Sequence, residues 1–239
     1  MKHFLLSDAH LTPEGTPHPG RETLLRFLRD LAGAEPQTLW ILGDLFDFWF
    51  EYSRLIPAGY GGVLCRLRAL SDAGWTMNFI PGNHDWWVGR LFSRETGMSI
   101  LRQTPLRVDL GGINAVLAHG DGMGRGDWGY RVFKPVLRAG ISSFFYSLLH
   151  PTPATAFAMT FSGTSRKYLR KKVRVIPRHL GAWAGKQLEN CDLVVTGHTH
   201  VPSFTPMAGG LFVSLGDWIG SFTYLKVEEG IPSLERFDG

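Results

Sequence analysis

Cysteine is scarce: Cys65 and Cys191 are the only two in 239 residues, with no C-x-x-C spacing. That excludes a disulfide framework and a zinc knuckle, and leaves each as an expected buried thiol. Long apolar runs are missing too. At the N-terminus only Phe4-Leu5-Leu6 is continuous before Ser7-Asp8, whereas a secretory signal needs about 7–15 apolar residues. No stretch reaches the roughly 18 apolar residues of a membrane span. The expectation is a cytosolic protein, or one attached to a membrane surface from the cytosolic side. There is no internal repeat and no low-complexity tract, and with 44% hydrophobic and 19% charged residues the chain reads as an ordinary globular protein. Acids are nearly absent from one long stretch. Between Arg125 and Arg178 Asp127 stands alone against eleven Lys and Arg residues, so this stretch supplies the whole +4 excess. It should face something anionic: substrate phosphates, a nucleic acid or lipid headgroups.

What is present is a recurring unit of strand, loop and helix. Phe4–Leu6, Leu39–Leu42, Thr76–Ile80 and Leu193–Val195 read as short buried strands. Residues 22–32 and 63–73 read as helices, the first from Leu24, Leu25, Leu28 and Leu31 at helical spacing, the second ending against Gly74. Gly111-Gly112 between two apolar arms predicts a hairpin over 106–118. Phe212–Leu215 and Tyr224–Val227 read as further strands.

Five polar clusters each follow a predicted strand: Asp8-Ala9-His10, Gly43-Asp44, Gly82-Asn83-His84-Asp85, His119 and His198-Thr199-His200. In α/β folds, sites gather at the carboxyl ends of strands. Carboxylate and amide oxygens mixed with imidazoles suit Mn, Fe or Zn in sites with open positions. Taken singly, each residue has an ordinary explanation as a cap, a turn or a hydrogen-bonded rim histidine. Five independent caps have no reason to share this composition. Asp47 and Asp121 are expected to order the nearby loops. His3, His18, His150 and His179 fit no cluster and are expected at the surface.

The five blocks resemble the calcineurin-like metallophosphoesterase superfamily, whose pattern is D-x-H, G-D, G-N-H-D, H and G-H-x-H; all are present in order from Asp8 to His200. The resemblance implies an α/β fold: a two-sheet β sandwich flanked by helices. It implies one divalent metal held by Asp8, His10, Asp44 and His200, and a second by Asp44, Asn83, His119 and His198, with Asp44 shared. Two such ions roughly 3.5–4 Å apart activate water and offset the charge developing on a phosphoryl oxygen. His84 then becomes a candidate proton donor to the leaving oxygen, with Asp85 orienting its ring.

Within that superfamily the chain is most similar to the UDP-2,3-diacylglucosamine pyrophosphohydrolases of lipid A synthesis. The similarity rests on Gly43-Asp44-Leu45-Phe46-Asp47-Phe48-Trp49-Phe50, on His119-Gly120-Asp121 followed by Asp127-Trp128-Gly129-Tyr130, and on the long insert before Gly197. It implies cleavage of the substrate's pyrophosphate to UMP and 2,3-diacylglucosamine 1-phosphate (lipid X), with Mn2+ as the usual metal, by a cytoplasmic enzyme attached peripherally to the inner membrane. It makes Asn83, Asp127 and Tyr130 candidate contacts to phosphate or sugar, and more loosely Ser165, Arg166 and Lys167. One departure stands out. Many of these enzymes carry Arg where this chain has His84.

The segment 127–178 is expected to form a small helical cap within a single domain spanning 1–239. Its apolar residues, among them Val132, Phe133, Val136, Leu137, Phe144, Phe145, Phe157 and Phe161, precede Ser165-Arg166-Lys167-Tyr168-Leu169-Arg170-Lys171-Lys172. That arrangement suits a groove for acyl chains beside cations for a headgroup; the alternative is a face packed on the main domain with its Lys and Arg merely solvated. Nucleic acid is a weaker fit, because the aromatics cluster apart from the basic residues. A metallophosphoesterase acting on a soluble nucleotide or phosphodiester is the alternative enzyme reading. A non-catalytic scaffold on the same fold fits poorly, since every expected ligand position is filled.

Overall fold

The computed structural model describes residues 1–52, 54–124 and 175–239. The expected cap lies outside them apart from its end at 175–178, as do the contacts expected of Asp127, Tyr130, Ser165, Arg166 and Lys167. In chain order the elements are β1 (Lys2–Leu6), α1 (Arg21–Ala32), β2 (Thr38–Ile41), α2 (Gly61–Asp72), β3 (Thr76–Phe79), α3 (Arg90–Thr96), β4 (Ser99–Ile100), β5 (Leu106–Asp109) and β6 (Asn114–Ala118). Then follow α4 (Arg178–Gln187), β7 (Leu193–Thr196), β8 (Pro202–Met207), β9 (Gly210–Leu215), β10 (Thr223–Glu228) and β11 (Ile231–Arg236).

They form two sheets, ordered β11-β10-β1-β2-β3-β4 and β5-β6-β7-β9-β8. Side-chain alternation along the strands builds three layers of core. Leu6, Leu39 and Ile41 face outward to α1, α2 and α3, whereas Leu5, Trp40 and Leu42 face the second sheet. On β7, Leu193 and Val195 close the middle layer and Val194 turns to α4, where it meets Leu180, Ala184 and Leu188. All four residues of β2 and of β7 are buried, as parallel strands covered on both faces require. Each fully buried Leu, Ile or Val contributes about 1.5–3 kcal/mol.

The predicted elements form, including the hairpin at Gly111-Gly112, where φ of 73° and 97° suits the tight turn. Elements without a local signal are α3, β4, β8, β11 and α4. Helix α3 starts by a non-local device: the Glu51 carboxylate accepts from the amides of Gly89 at 2.8 Å, Leu91 at 2.8 Å and Phe92 at 3.0 Å. Strand β8 carries Pro202 and Pro206, tolerable because it lies at a sheet edge.

Two expectations are corrected. Cys65 is exposed and only Cys191 is buried, because Val63, Leu64, Leu67 and Leu70 take the inward face of α2. His3 is 5% exposed, because it lies on β1 between two paired strands.

Candidate metal centre

Strands β1, β2 and β3 run parallel in one sheet, and β6, β7 and β9 run parallel in the other. Their carboxyl ends share one rim, so the five blocks meet there. Asp44 sits at the middle. Its Oδ2 lies 3.3 Å from His119 Nε2, 3.6 Å from His10 Nε2 and 3.9 Å from His84 Nε2. Its Oδ1 accepts from the His84 amide at 3.0 Å. On one side Asp8 Oδ1 lies 3.7 Å from both His10 Nε2 and His200 Nε2. On the other, Asn83 Oδ1 lies 3.2 Å from His119 Nε2, and the His198 and His119 rings are 5.1 Å apart. Asp8, His10 and His200 thus form one set of donors and Asp44, His119 and His198 another.

The backbone is strained where these side chains leave it. Seven non-glycine residues have positive φ among the described residues, and five of them are Asp8, His10, Asp44, His198 and His200. Such conformations cost on the order of 1 kcal/mol or more each and gather where a site dictates geometry. Gly82 is required for a different reason: a Cβ there would run into Asp44 Oδ1.

The donor set fits divalent cations. Asp8 Oδ1 and both His10 nitrogens are buried without a hydrogen-bond partner, an arrangement that costs about 1–3 kcal/mol per group unless something else satisfies them. Burial holds His10 down to about 4, so its imidazole is neutral near pH 7 and has a lone pair to donate. His119 Nδ1 lies 2.7 Å from the Leu42 carbonyl. A carbonyl only accepts, so Nδ1 carries a proton and Nε2 faces Asn83 and Asp44. Burial works against charge on His119, yet Asp44 beside it drives its pKa up to about 10. The surroundings of Nε2 therefore demand positive charge, which a divalent ion supplies better than a proton.

The remaining candidates fall into place around this core. His84 Nδ1 donates to the Asp47 carbonyl at 2.7 Å, turning Nε2 toward Asp44. Asp85 was expected to orient that ring and does something else. It is fully buried, and its oxygens accept from the amides of Gly82 at 2.8 Å, Leu45 at 2.7 Å, Asp44 at 3.2 Å and Phe46 at 3.4 Å. The carboxylate is committed to the Asp44 loop, and it is the Asp47 main chain that holds His84. Burial first, then Asp44, pushes the Asp85 pKa up to about 7 against the pull of those amides. Asp47 and Asp121 are both buried beside the site, and the charge of Asp121 acts on His119 and His198.

One residue escaped the sequence reading. Asp217 Oδ2 lies 3.3 Å from His200 Nδ1. Burial favours its neutral form, but the His200 contact and the amides of Ser221 and Gly220 prevail and hold it well below the usual carboxylate range. Its signal was available: Gly216-Asp217 follows a predicted strand just as Gly43-Asp44 does.

A fold of two stacked sheets with Asp, Asn and His gathered at one rim defines a class, and the comparisons agree on it. The sequence pattern of the calcineurin-like phosphoesterase family matches residues 1–202. The chain belongs to that family and is a metal-dependent phosphoesterase. A UDP-2,3-diacylglucosamine hydrolase of Neisseria gonorrhoeae is 31% identical to it over 233 residues, covering 95% of this chain and 94% of that one. A UDP-2,3-diacylglucosamine hydrolase of Aeromonas hydrophila is 30% identical over 243 residues, covering 99% and 98%. Among the described residues no helix is long and apolar enough to cross a membrane.

Proposed function

We propose that this enzyme hydrolyses the pyrophosphate of UDP-2,3-diacylglucosamine, releasing UMP and 2,3-diacylglucosamine 1-phosphate, at the cytoplasmic face of the inner membrane. The carrying observation is the convergence of three imidazoles on Asp44 Oδ2 in a chain resembling diacylglucosamine hydrolases along nearly its whole length.

In this reading Asp8, His10, Asp44 and His200 hold one cation and Asp44, Asn83, His119 and His198 the other. Two Mn2+ ions there would supply an activated water and offset the charge that builds on the attacked phosphoryl group. The protein's own share is positional. The Asp47 carbonyl fixes the His84 tautomer with Nδ1 protonated, so Nε2 is the atom that can carry a second proton to the departing oxygen. Trp86 and Trp87 follow Asp85, one residue beyond His84, and are half-buried. Trp87 lies beside Phe48 and Phe50, ring centres 5.9 and 6.1 Å away, and such a ledge gives apolar surface beside the reacting groups. Asn83 doubles as a substrate contact; Asp127, Tyr130, Ser165, Arg166 and Lys167 are further proposed contacts. The basic stretch 125–178 is suited to anionic headgroups and to peripheral attachment.

His84 favours a second reading, since the resemblance leads one to expect Arg there: a phosphodiesterase acting on a soluble nucleotide. The test is nucleotide release from UDP-2,3-diacylglucosamine with Mn2+ and detergent, beside turnover of a soluble phosphodiester. UMP release is expected. Cleavage of the soluble ester alone would keep the metal chemistry and sink the lipid substrate.

A further inference from the structure

Two histidines of the site, His119 and His200, have each ring held through Nδ1, but by different partners. His119 donates to a neutral carbonyl, Leu42 O, at 2.7 Å. His200 faces a carboxylate, Asp217 Oδ2, at 3.3 Å. The other oxygen of Asp217 is fully engaged: Oδ1 accepts from the amides of Ile219 at 3.2 Å, Gly220 at 2.9 Å and Ser221 at 3.0 Å, and from Ser221 Oγ at 3.0 Å. The carboxylate is thereby fixed in orientation before it meets the imidazole. The same turn touches the site once more, through the Trp218 amide, which donates to the Asp8 carbonyl at 3.1 Å. Trp218 is fully buried against Phe27, ring centres 4.8 Å apart. The turn after β9 is therefore anchored in the core and reaches Asp8 and His200, both ligands of the same proposed cation.

We propose that Asp217 is a positioning residue that keeps the His200 proton on Nδ1 and presents Nε2 to the cation shared with Asp8 and His10, making the two cation sites inequivalent. This rests on the two-cation reading above. A carboxylate behind a ligating imidazole fixes its tautomer and raises its basicity more than a carbonyl does. The consequence falls on one site only, because His119 and His198 have no share in the Asp217 turn.

Asp217→Asn separates this from a structural role. Three amides and a hydroxyl hold the oxygen of residue 217, so the Asn side-chain oxygen stays with them and its NH2 turns to His200. That N–H donates to Nδ1 and drives the proton to Nε2, the wrong atom for a ligand. Calorimetric titration of Mn2+ into metal-free protein should show two sites in the wild type. In Asp217→Asn one site should weaken by about 10–100-fold and the other stay unchanged. Ser221→Ala, which loosens the turn without reversing the tautomer, should keep both. Unchanged affinities in Asp217→Asn, or equal weakening in Ser221→Ala, overturn the proposal. Nitrogen NMR of His200 in metal-free wild type tests it without any substitution: the Nδ1–H tautomer is expected, and the Nε2–H tautomer overturns it. Wild-type protein that takes up fewer than two Mn2+ ions would instead overturn the two-cation reading, and is recognised before any variant is made.

Discussion

The two ends of the sandwich use the same rare backbone conformation for opposite purposes. At the amino end of β1 two hairpin turns meet, Gly111-Gly112 and Glu229-Gly230, and three of those four positive-φ positions are glycine. Glycine takes that conformation at little steric cost, so the turns are simply closed. At the carboxyl end the same region of φ holds Asp8, His10, Asp44, His198 and His200, residues that meet a penalty there. Buried polar atoms follow the same division. Among the described residues, Ser7 Oγ, Asp8 Oδ1, both His10 nitrogens and Thr196 Oγ1 lack hydrogen-bond partners at the carboxyl end, against His3 Nε2 and Trp75 Nε1 at the amino end. One end is built for folding and the other for ligands, with the cost of the second offset by the three core layers between and around the sheets.

If that division is correct, substitutions at the rim should damage activity out of proportion to stability. The largest effect belongs to Asp44. Asp44→Asn keeps the shape but removes the negative charge that His119 and His10 face, so kcat should fall by about 10²–10³-fold or more. Its melting temperature in EDTA should move little. A variant that melts far lower in EDTA while keeping its kcat would reverse the reading of that end. Asp85 sharpens the comparison from the other side, because it sits at the rim yet serves the fold. Asp85→Ala strands four main-chain amides around a buried gap, and it should cost about 2–4 kcal/mol in denaturant unfolding of the metal-free protein. A loss under about 0.5 kcal/mol would mean the loop finds other acceptors and Asp85 does not hold it.

How much of this was legible in the sequence depends on the range of the interaction. Strand ends, helix faces and the glycine hairpin are local patterns, and β1, α1, β2, α2, β3 and the Gly111-Gly112 turn follow from them. The blocks from Asp8 to His200 were legible as a set because spacing and composition repeat at five strand ends. What sequence could not give was partner choice. Nothing near His84 says that the Asp47 carbonyl accepts its hydrogen bond or that Asp85 turns instead to Gly82 and Leu45; those pairings span 37 and 40 positions or fold back across a tight loop. Helix α3 begins where Glu51 reaches it from 38 residues away, with no cap in its own sequence. His3 was expected at the surface because it fits none of the five blocks, and nothing in the sequence says that its face of β1 meets a second sheet.

His3 gives the smallest effect and the finest test of the folding end. It is 5% exposed, with Trp40 Nε1 3.5 Å from its Nδ1. Burial and then the nearby N-terminal amine lower its pKa below the ordinary 6.5, with Asp109 pulling weakly the other way. The sign follows from proton linkage. Below pH 6.5 the unfolded chain binds a proton at His3 that the folded protein resists, so stability is full above that pH and is lost as pH falls through 6.5 toward the folded value. His3→Gln cannot take the proton, so denaturant unfolding in EDTA between pH 7 and 5 should show a shallower loss of stability than the wild type. The rim histidines His10 and His198, also lowered by burial, remain in both proteins, and the difference between the two slopes reads His3 alone. Parallel slopes would mean that His3 is solvated at the amino end, and kcat altered at pH 7 by His3→Gln would mean that the two ends are not separate in function.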